Sequence, residues 1–445
     1  MILKFIITQS RVVMQKTDHW KDQLSFYRFW QNNKVTESSL IEICTTHCQL
    51  QSQDITHGLL LEDTTELSLE NHRRRITDTT GLGWLRNRHL GFYSHPTLLV
   101  NARDNSLIGA IDIHLWHRDD DQLSREERKY KQQPFEEKES YRWSRCAVES
   151  KKKLSHIERL TVVQDREGDI YESFHYLREN GLDFVIRQSQ DRKIESDQKV
   201  YLKEYITNVS AGEYELVIKE NTKKRKARKA QMEIRFSEVS LCRPLSLRKA
   251  QYGDSLSLYL VQVKEKPESV PQGEKAIEWT LYTSHQVTSY TQALQIVSYY
   301  KARWIIEDLF RTIKKEGVNY ETSELETGPA LRKLFVMSFM AAIQILQLRQ
   351  ARGGETSQKT DLVFSKEQVE CMQDLIPKLE GKSEKQKNPF DKQTLAWATW
   401  IIARLGGWKG YSSQRPPGVI TLHEGWIRFH TLFEGWSLAK DMYKR

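Results

Sequence analysis

Apolar residues in the first half of the chain fall into short unbroken runs that end on an acid. Gly58-Leu-Leu-Leu-Glu62-Asp63 is one, and Leu160-Thr-Val-Val-Gln164-Asp165 is another. Runs this short, bounded by turn residues, predict buried strands, and each would present its aspartate at its C-terminal end. Pro96–Val100 and Ser106–Trp116 read as two more strands, joined into a hairpin by the turn residues Asn101–Asn105. After Asp165, a turn through Asp169 leads into an amphipathic helix, about Ile170 to Asn180, and then a strand at Asp183–Arg187.

Between Gln188 and Tyr290 the pattern alternates instead. Tyr214–Ile218, Gln231–Phe236, Leu256–Val263 and Trp279–Tyr282 read as half-buried strands separated by polar turns. One of those turns, Lys223–Lys229, is densely basic. It suits either a solvated hairpin tip or a DNA-backbone contact. Asp119–Ser140 is almost wholly polar and reads as a surface loop or helix. Leu331–Gln350 is a strongly apolar helix, Ala351–Lys359 a linker, and the remainder helical, with Trp397, Trp400, Trp408, Trp426 and Trp436.

Tyr300–Gly317 predicts one helix with two unlike faces. At 100° per residue Tyr300, Arg303, Glu307, Arg311 and Lys314 fall within a stripe of roughly 80°. Ile305, Ile306, Leu309, Phe310 and Ile313 occupy the opposite side. A lone carboxylate among cations suits a polyanion held beside a metal ligand. An ordinary i,i+4 pair between Glu307 and Arg311 on a solvated face would explain the same charges.

The chain has 445 residues, enough for two to four domains. Its net charge is +9, which is compatible with a nucleic-acid partner. No apolar run in the sequence approaches the roughly 18 residues of a membrane span, and the opening MILKFIITQS is not read as a signal peptide. Five scattered cysteines, Cys44, Cys48, Cys146, Cys242 and Cys371, point to a reducing compartment rather than a disulfide framework. Cys44-Thr-Thr-His47-Cys48 has half the spacing of a zinc site, but no second pair completes it, so buried thiols are the expectation.

Two strand-end aspartates and one helical glutamate form a plausible set of hard oxygen ligands for Mg²⁺ or Mn²⁺. Two such ions about 4 Å apart support in-line phosphodiester displacement without a covalent nucleophile. Asp78 repeats the Asp-Thr-Thr of Asp63, but Arg73-Arg-Arg precedes it rather than a buried strand. Asp112 competes too, although it sits mid-strand. Strand, hairpin, strand, helix, strand is the order of an RNase-H-like α/β core with acids at neighbouring strand ends.

The spacing Tyr300-(2)-Arg303-(3)-Glu307-(6)-Lys314, with Asp63 in LLLEDTT and Asp165 in VVQDREGDI, resembles bacterial cut-and-paste DDE transposases of the insertion-sequence-four group, particularly the Tn-five type. The likeness runs from about Ser25 to the C-terminus, through Ser25–Phe29, Ile402–Trp408 and Glu434-Gly-Trp436. It implies a multidomain α/β protein. A short helical N-terminal region at 1–57 precedes an RNase-H-like catalytic core split into 58–187 and 291–350. An inserted β subdomain occupies 188–290, and a helical dimerisation region occupies 361–445.

The resemblance further implies Asp63, Asp165 and Glu307 as ligands of two Mg²⁺ ions, with Mn²⁺ able to substitute. Tyr300, Arg303 and Lys314 would contact DNA phosphates, supported by Arg166, Arg187 and Arg311. Trp279 would stack on a flipped base, although on its own pattern it fits a strand core equally well. The implied protein is a transposase of double-stranded DNA, a homodimer on DNA, cytoplasmic and nucleoid-associated, with no membrane partner. Its implied reaction is nicking, hairpin formation, hairpin opening and strand transfer.

Relatives of this group have a longer, basic, glycine-containing N-terminal segment. Here the first glycine is Gly58, and residues 1–57 hold only six Lys or Arg. The sequence therefore also admits an N-terminally shortened, non-transposing relative that inhibits by dimerisation or DNA binding.

Overall fold

The computed structural model describes residues 28–119, 133–195, 200–202, 211–218, 227–315, 320–323, 325–356, 358–411 and 414–443. In chain order these form helix α1 (Glu37–Gln51), strands β1 (His57–Glu62), β2 (Thr65–Ser68), β3 (Gly83–Trp84), β4 (Leu90–Asn101) and β5 (Leu107–Trp116), and helix α2 (Arg142–Lys153). Next come β6 (Arg159–Gln164), α3 (Tyr171–Glu179), β7 (Asp183–Arg187), β8 (Lys193–Ile194), β9 (Val200–Tyr201), β10 (Gly212–Ile218), β11 (Arg228–Cys242), the single turn α4 (Lys249–Tyr252), β12 (Ser255–Glu265) and β13 (Glu278–Thr283). The rest is helical: α5 (Tyr290–Ala302), α6 (Trp304–Lys314), α7 (Gly328–Ala351), α8 (Lys366–Leu379), α9 (Leu395–Leu405) and α10 (Val419–Tyr443).

The chain divides into two compact units. One comprises the described residues within 1–54, 64–122 and 305–445, the other those within 55–63 and 123–304.

In the second unit β1, β6 and β7 are parallel neighbours, with Leu61 opposite Val163 and Val163 opposite Val185. Their apolar side chains are buried on both faces, which is why they read as unbroken runs. β13 pairs antiparallel with β7, and β12 and β11 follow, so the strands of 188–290 extend this sheet beyond β7. Phe174 of α3 stacks on Phe184 of β7 at 5.3 Å, fixing the crossover helix to the sheet. The polar segment expected at Asp119–Ser140 lies mostly outside the described residues, as do part of Lys223–Lys229 and all of 1–27.

In the first unit β4 pairs antiparallel with β2, β3 and β5, and the expected hairpin is β4–β5. α7 anchors α1: Arg332 holds the Glu37 carboxylate with two nitrogens, and Lys333 donates to the Trp30 carbonyl at 2.9 Å. α7, the strongly apolar helix expected at Leu331–Gln350, is long and apolar enough to cross a membrane, against the expectation that no run approaches that length, yet most of its side chains are buried inside the unit. It serves as a core helix. α8, α9 and α10 share a second core around Trp397, Trp400 and Trp426. A Cβ on Gly425 would lie 1.8 Å from the Ile402 carbonyl oxygen, so α9 and α10 touch backbone to backbone.

Two expectations are corrected. Tyr300–Gly317 is not one helix. α5 ends at Ala302 and α6 begins at Trp304, because the Arg303 N–H closes back on the Tyr300 carbonyl in a tighter i→i+3 bond. The far end of the expected helix, Gly317, lies outside the described residues. Nor does Arg311 pair with Glu307; it reaches back to Asp308 Oδ1 at 2.8 Å, and Asp308 also takes Arg349.

Candidate active site

Parallel pairing of β1 with β6 sets two aspartates side by side, since Asp63 follows the last residue of one strand and Asp165 that of the other. The residues just before them are joined. Gln164 Nε2 donates to Glu62 Oε2 at 2.7 Å and to the Trp143 carbonyl at 3.1 Å, and both side chains are fully buried. Because side chains alternate along a strand, this bond locks the two strand ends from the face opposite the aspartates.

One guanidinium lies between the two carboxylates. Arg303 Nη1 donates to Asp63 Oδ2 at 3.1 Å, and its Nη2 lies 3.7 Å from Asp165 Oδ2, with only 4% of the Arg303 side chain exposed. Tyr300 donates its hydroxyl to Asp165 Oδ1 at 3.0 Å. Burial, and then the charge of Asp165, push the Tyr300 phenol up to about 12, which keeps it a donor near neutral pH. Arg187 approaches Asp165 at 3.8 Å and the Tyr300 hydroxyl at 3.5 Å. Trp279 stands edge-on to the Tyr300 ring at 5.7 Å and is half-buried. The second unit thus gathers six of the expected residues into one constellation in which two carboxylates face two guanidiniums.

Arg166 is placed nearby in sequence, in the turn after Asp165, but its side chain is exposed and has no ion pair among the described residues. Glu307, Arg311 and Lys314 belong to the first unit, on α6. Glu307 sits half-buried in the first turn of that helix, Arg311 is exposed, and Lys314 turns its ammonium onto the Glu66 carbonyl at 2.5 Å. Burial lowers the Lys314 pKa.

Among the described residues no three His, Cys, Asp or Glu side chains are gathered as a metal-ligand set. The donor chemistry of the Asp63–Asp165 pair nevertheless fits a hard divalent cation, because oxygens from two strand ends converge on one positive group. The half zinc site does not behave as one. Cys44 and Cys48 are buried in α1, burial raises the Cys44 thiol to about 12, and His47 bonds the Leu362 carbonyl at 3.1 Å.

Residues 152–343 match the transposase DDE domain family. The match covers less than half of the chain, includes Asp165 and Glu307, and begins after Asp63. It supports a DDE transposase: an enzyme that cleaves and transfers DNA strands, with DNA as substrate, divalent-metal chemistry and an RNase-H-like core.

Sequence reasoning missed the residues that brace the site. Glu62 and Gln164 were visible as a polar residue before each strand-end aspartate, a repeat that marks a cross-strand bond. Asp169, fully buried, accepts the backbone N–H groups of Ser189 and Gln190 at 2.7 and 2.8 Å and the Nε of Arg192 at 2.9 Å. It ties the turn after Asp165 to the chain leaving Arg187. A buried acid four residues beyond Asp165 gave no signal in the sequence beyond its type.

Proposed function

We propose that this protein is a cut-and-paste DNA transposase of the insertion-sequence-four, Tn-five-like kind. The observation that carries the reading is the pair of strand-end aspartates, Asp63 and Asp165, converging on one cation. In this reading Asp63, Asp165 and Glu307 hold two Mg²⁺ ions, or Mn²⁺ in their place. Bound there, the ions would supply Lewis-acid stabilisation of the nucleophilic and leaving oxygens.

The chain's own residues do the rest. Tyr300 orients Asp165 through its hydroxyl, and Arg303 and Arg187 balance the carboxylate charge. Tyr300, Arg303 and Lys314, with Arg166, Arg187 and Arg311 in support, are the groups we assign to DNA phosphates. Trp279, already packed on Tyr300, would receive a flipped base, since stacking of about 1–3 kcal/mol offsets part of the cost of extrusion.

Four displacements at phosphorus follow in this scheme. Water releases a 3′-hydroxyl, that hydroxyl attacks the opposite strand to form a hairpin, water opens the hairpin, and the freed end joins target DNA. One set of residues serves all four, because only the nucleophile changes. We take 188–290 as the inserted β subdomain. We take the C-terminal helices as the homodimer contact, a reading favoured by Leu432, Leu438 and Met442 standing exposed on α10.

The test is a labelled duplex carrying the repeats that flank this gene, incubated with protein and Mg²⁺ or Mn²⁺ and resolved on a denaturing gel. Nicked, hairpin and joined products should form with wild type. In Glu307→Ala they should fall by roughly three orders of magnitude, the upper end of losing one transition-state partner, with DNA binding nearly unchanged. Binding by Glu307→Ala that falls as far as in the double variant Arg303→Ala/Lys314→Ala would refute Glu307 as a metal ligand. Dimers that bind ends but cleave nothing would favour the inhibitor reading.

A further inference from the structure

The first unit carries a second cluster of cations that the chemistry above does not use. Between β2 and β4 the chain runs through Arg73, Arg74 and Arg75, then through β3 to a tip at Arg86-Asn87-Arg88; all five arginines are exposed. The two stretches are bound to each other. Leu69 N–H donates to the Leu90 carbonyl at 2.8 Å, and Leu90 N–H donates to Glu70 Oε2 at 2.9 Å. The Arg73 guanidinium lies over the Trp84 ring, 5.0 Å from its centroid.

The acids in this cap neutralise one arginine, Arg73. Glu70 is engaged with Leu90 N–H and Arg73, and Asp78 accepts the Thr80 N–H at 2.9 Å. Among the described residues Arg74, Arg86 and Arg88 form no ion pair with a carboxylate. Arg75 instead donates to His72 Nδ1 at 2.5 Å, and His72 bonds the Glu321 carbonyl at 2.6 Å, which stiffens the base of the cap.

The tip is held in a backbone that arginine does not favour. Leu85 N–H bonds the His89 carbonyl and Arg88 N–H the Leu85 carbonyl, both at 2.9 Å, closing a three-residue loop. Arg88 takes φ +60°, the left-handed position where such hairpins ordinarily use glycine. Asn105 is the other non-glycine residue with positive φ among those described, and asparagine tolerates it. An arginine kept where glycine is easier points to a use for its side chain.

We infer that this arginine cap is a binding surface for the phosphate backbone of duplex DNA, separate from the residues that do chemistry. Three exposed guanidiniums on two tied segments, those of Arg74, Arg86 and Arg88, present forked donors to phosphates, and Arg73 and Arg75 brace them. The inference rests on the reading of the chain as a DNA-acting enzyme and adds where duplex outside the scissile site is held.

The experiment measures binding of unrelated 20-base-pair duplexes by fluorescence anisotropy in EDTA across a salt series, with metal-dependent cleavage assayed in parallel. For Arg74→Ala/Arg86→Ala/Arg88→Gly, each lost contact should weaken binding roughly eightfold at 0.1 M salt and lower the salt slope by about 0.9, equally for every sequence. Arg88→Gly alone should bind more weakly yet melt at the same or a higher temperature, because glycine relieves the turn. Unchanged affinity and slope in a wild-type-like cleaver would overturn the surface and leave the transposase reading intact. Arginine-dependent binding by a wild type that never cleaves would uphold the surface and sink that reading. If the triple variant does not fold, unchanged binding by a stable Arg88→Gly overturns the inference by itself.

Discussion

Arg303 donates to Asp63 across 3.1 Å from a side chain that is almost wholly buried. In this state the guanidinium is the counter-charge of the aspartate pair, and it competes with any other cation for the same oxygens.

Removing it should therefore do two opposite things. Arg303→Met should destabilise the protein by about 1–3 kcal/mol, less than the loss of a fully buried pair because both carboxylates retain some solvent. The same variant should gain more thermal stability than wild type from added Mn²⁺, since the ion no longer displaces a guanidinium. Melting curves over a Mn²⁺ series decide it, and equal shifts in the two proteins would count against the competition.

The bond between Glu62 and Gln164 fixes the strand ends that carry the aspartates. Gln164→Leu would leave a buried carboxylate without this donor, and we expect a loss of about 2–3 kcal/mol in urea denaturation. Glu62→Gln keeps an acceptor for Gln164 and should lose much less. If both variants lose the same amount, the bond is not what matters at this position.

Asp169 and Arg192 form a buried pair that also pins Ser189 and Gln190. Asp169→Asn strands the Arg192 charge and should destabilise by about 3–5 kcal/mol. Replacing both residues with apolar ones of similar size should recover part of that loss. A double variant worse than the single one would show that the backbone bonds, rather than the stranded charge, carry the effect.

His57 and His285 share Thr161: His57 Nε2 lies 2.8 Å from the threonine hydroxyl and His285 Nε2 2.9 Å. Burial, chiefly, lowers both imidazoles to about 4. Folding therefore favours the neutral rings, while the unfolded chain takes up protons near pH 6.5. Their contribution is complete above pH 6.5 and is lost as pH falls from there to about 4, by up to about 3 kcal/mol for His285. Melting temperature against pH should fall over this window, and His57→Gln/His285→Gln should flatten that part of the curve. A slope unchanged in the double variant would place the acid sensitivity elsewhere.

Several features were legible because they depend only on near neighbours. Leu59–Leu61 and Leu160–Val163 lie in buried strands, as runs so short, apolar and bounded by turn residues predict, and the acid after each sits at a strand end. The apolar face of α6 was equally local, with Ile306, Leu309 and Ile313 buried at helical spacing. Turn chemistry at Asn101–Asn105 announced the β4–β5 hairpin.

What only the tertiary structure decided involves partners far apart in the chain. Arg303 could have faced solvent, as a stripe on a continuous helix suggests. It turns instead to Asp63, from which 240 residues separate it, and the helix breaks at that residue. Glu62 finds Gln164 only because β1 and β6 lie parallel in one register, and Arg73 finds Trp84 only because β3 folds back on β4. Local propensity sets which residues are buried and in what element. The charge pairing of a half-buried side chain depends on which distant strand end arrives beside it, and that is a property of the assembled sheet.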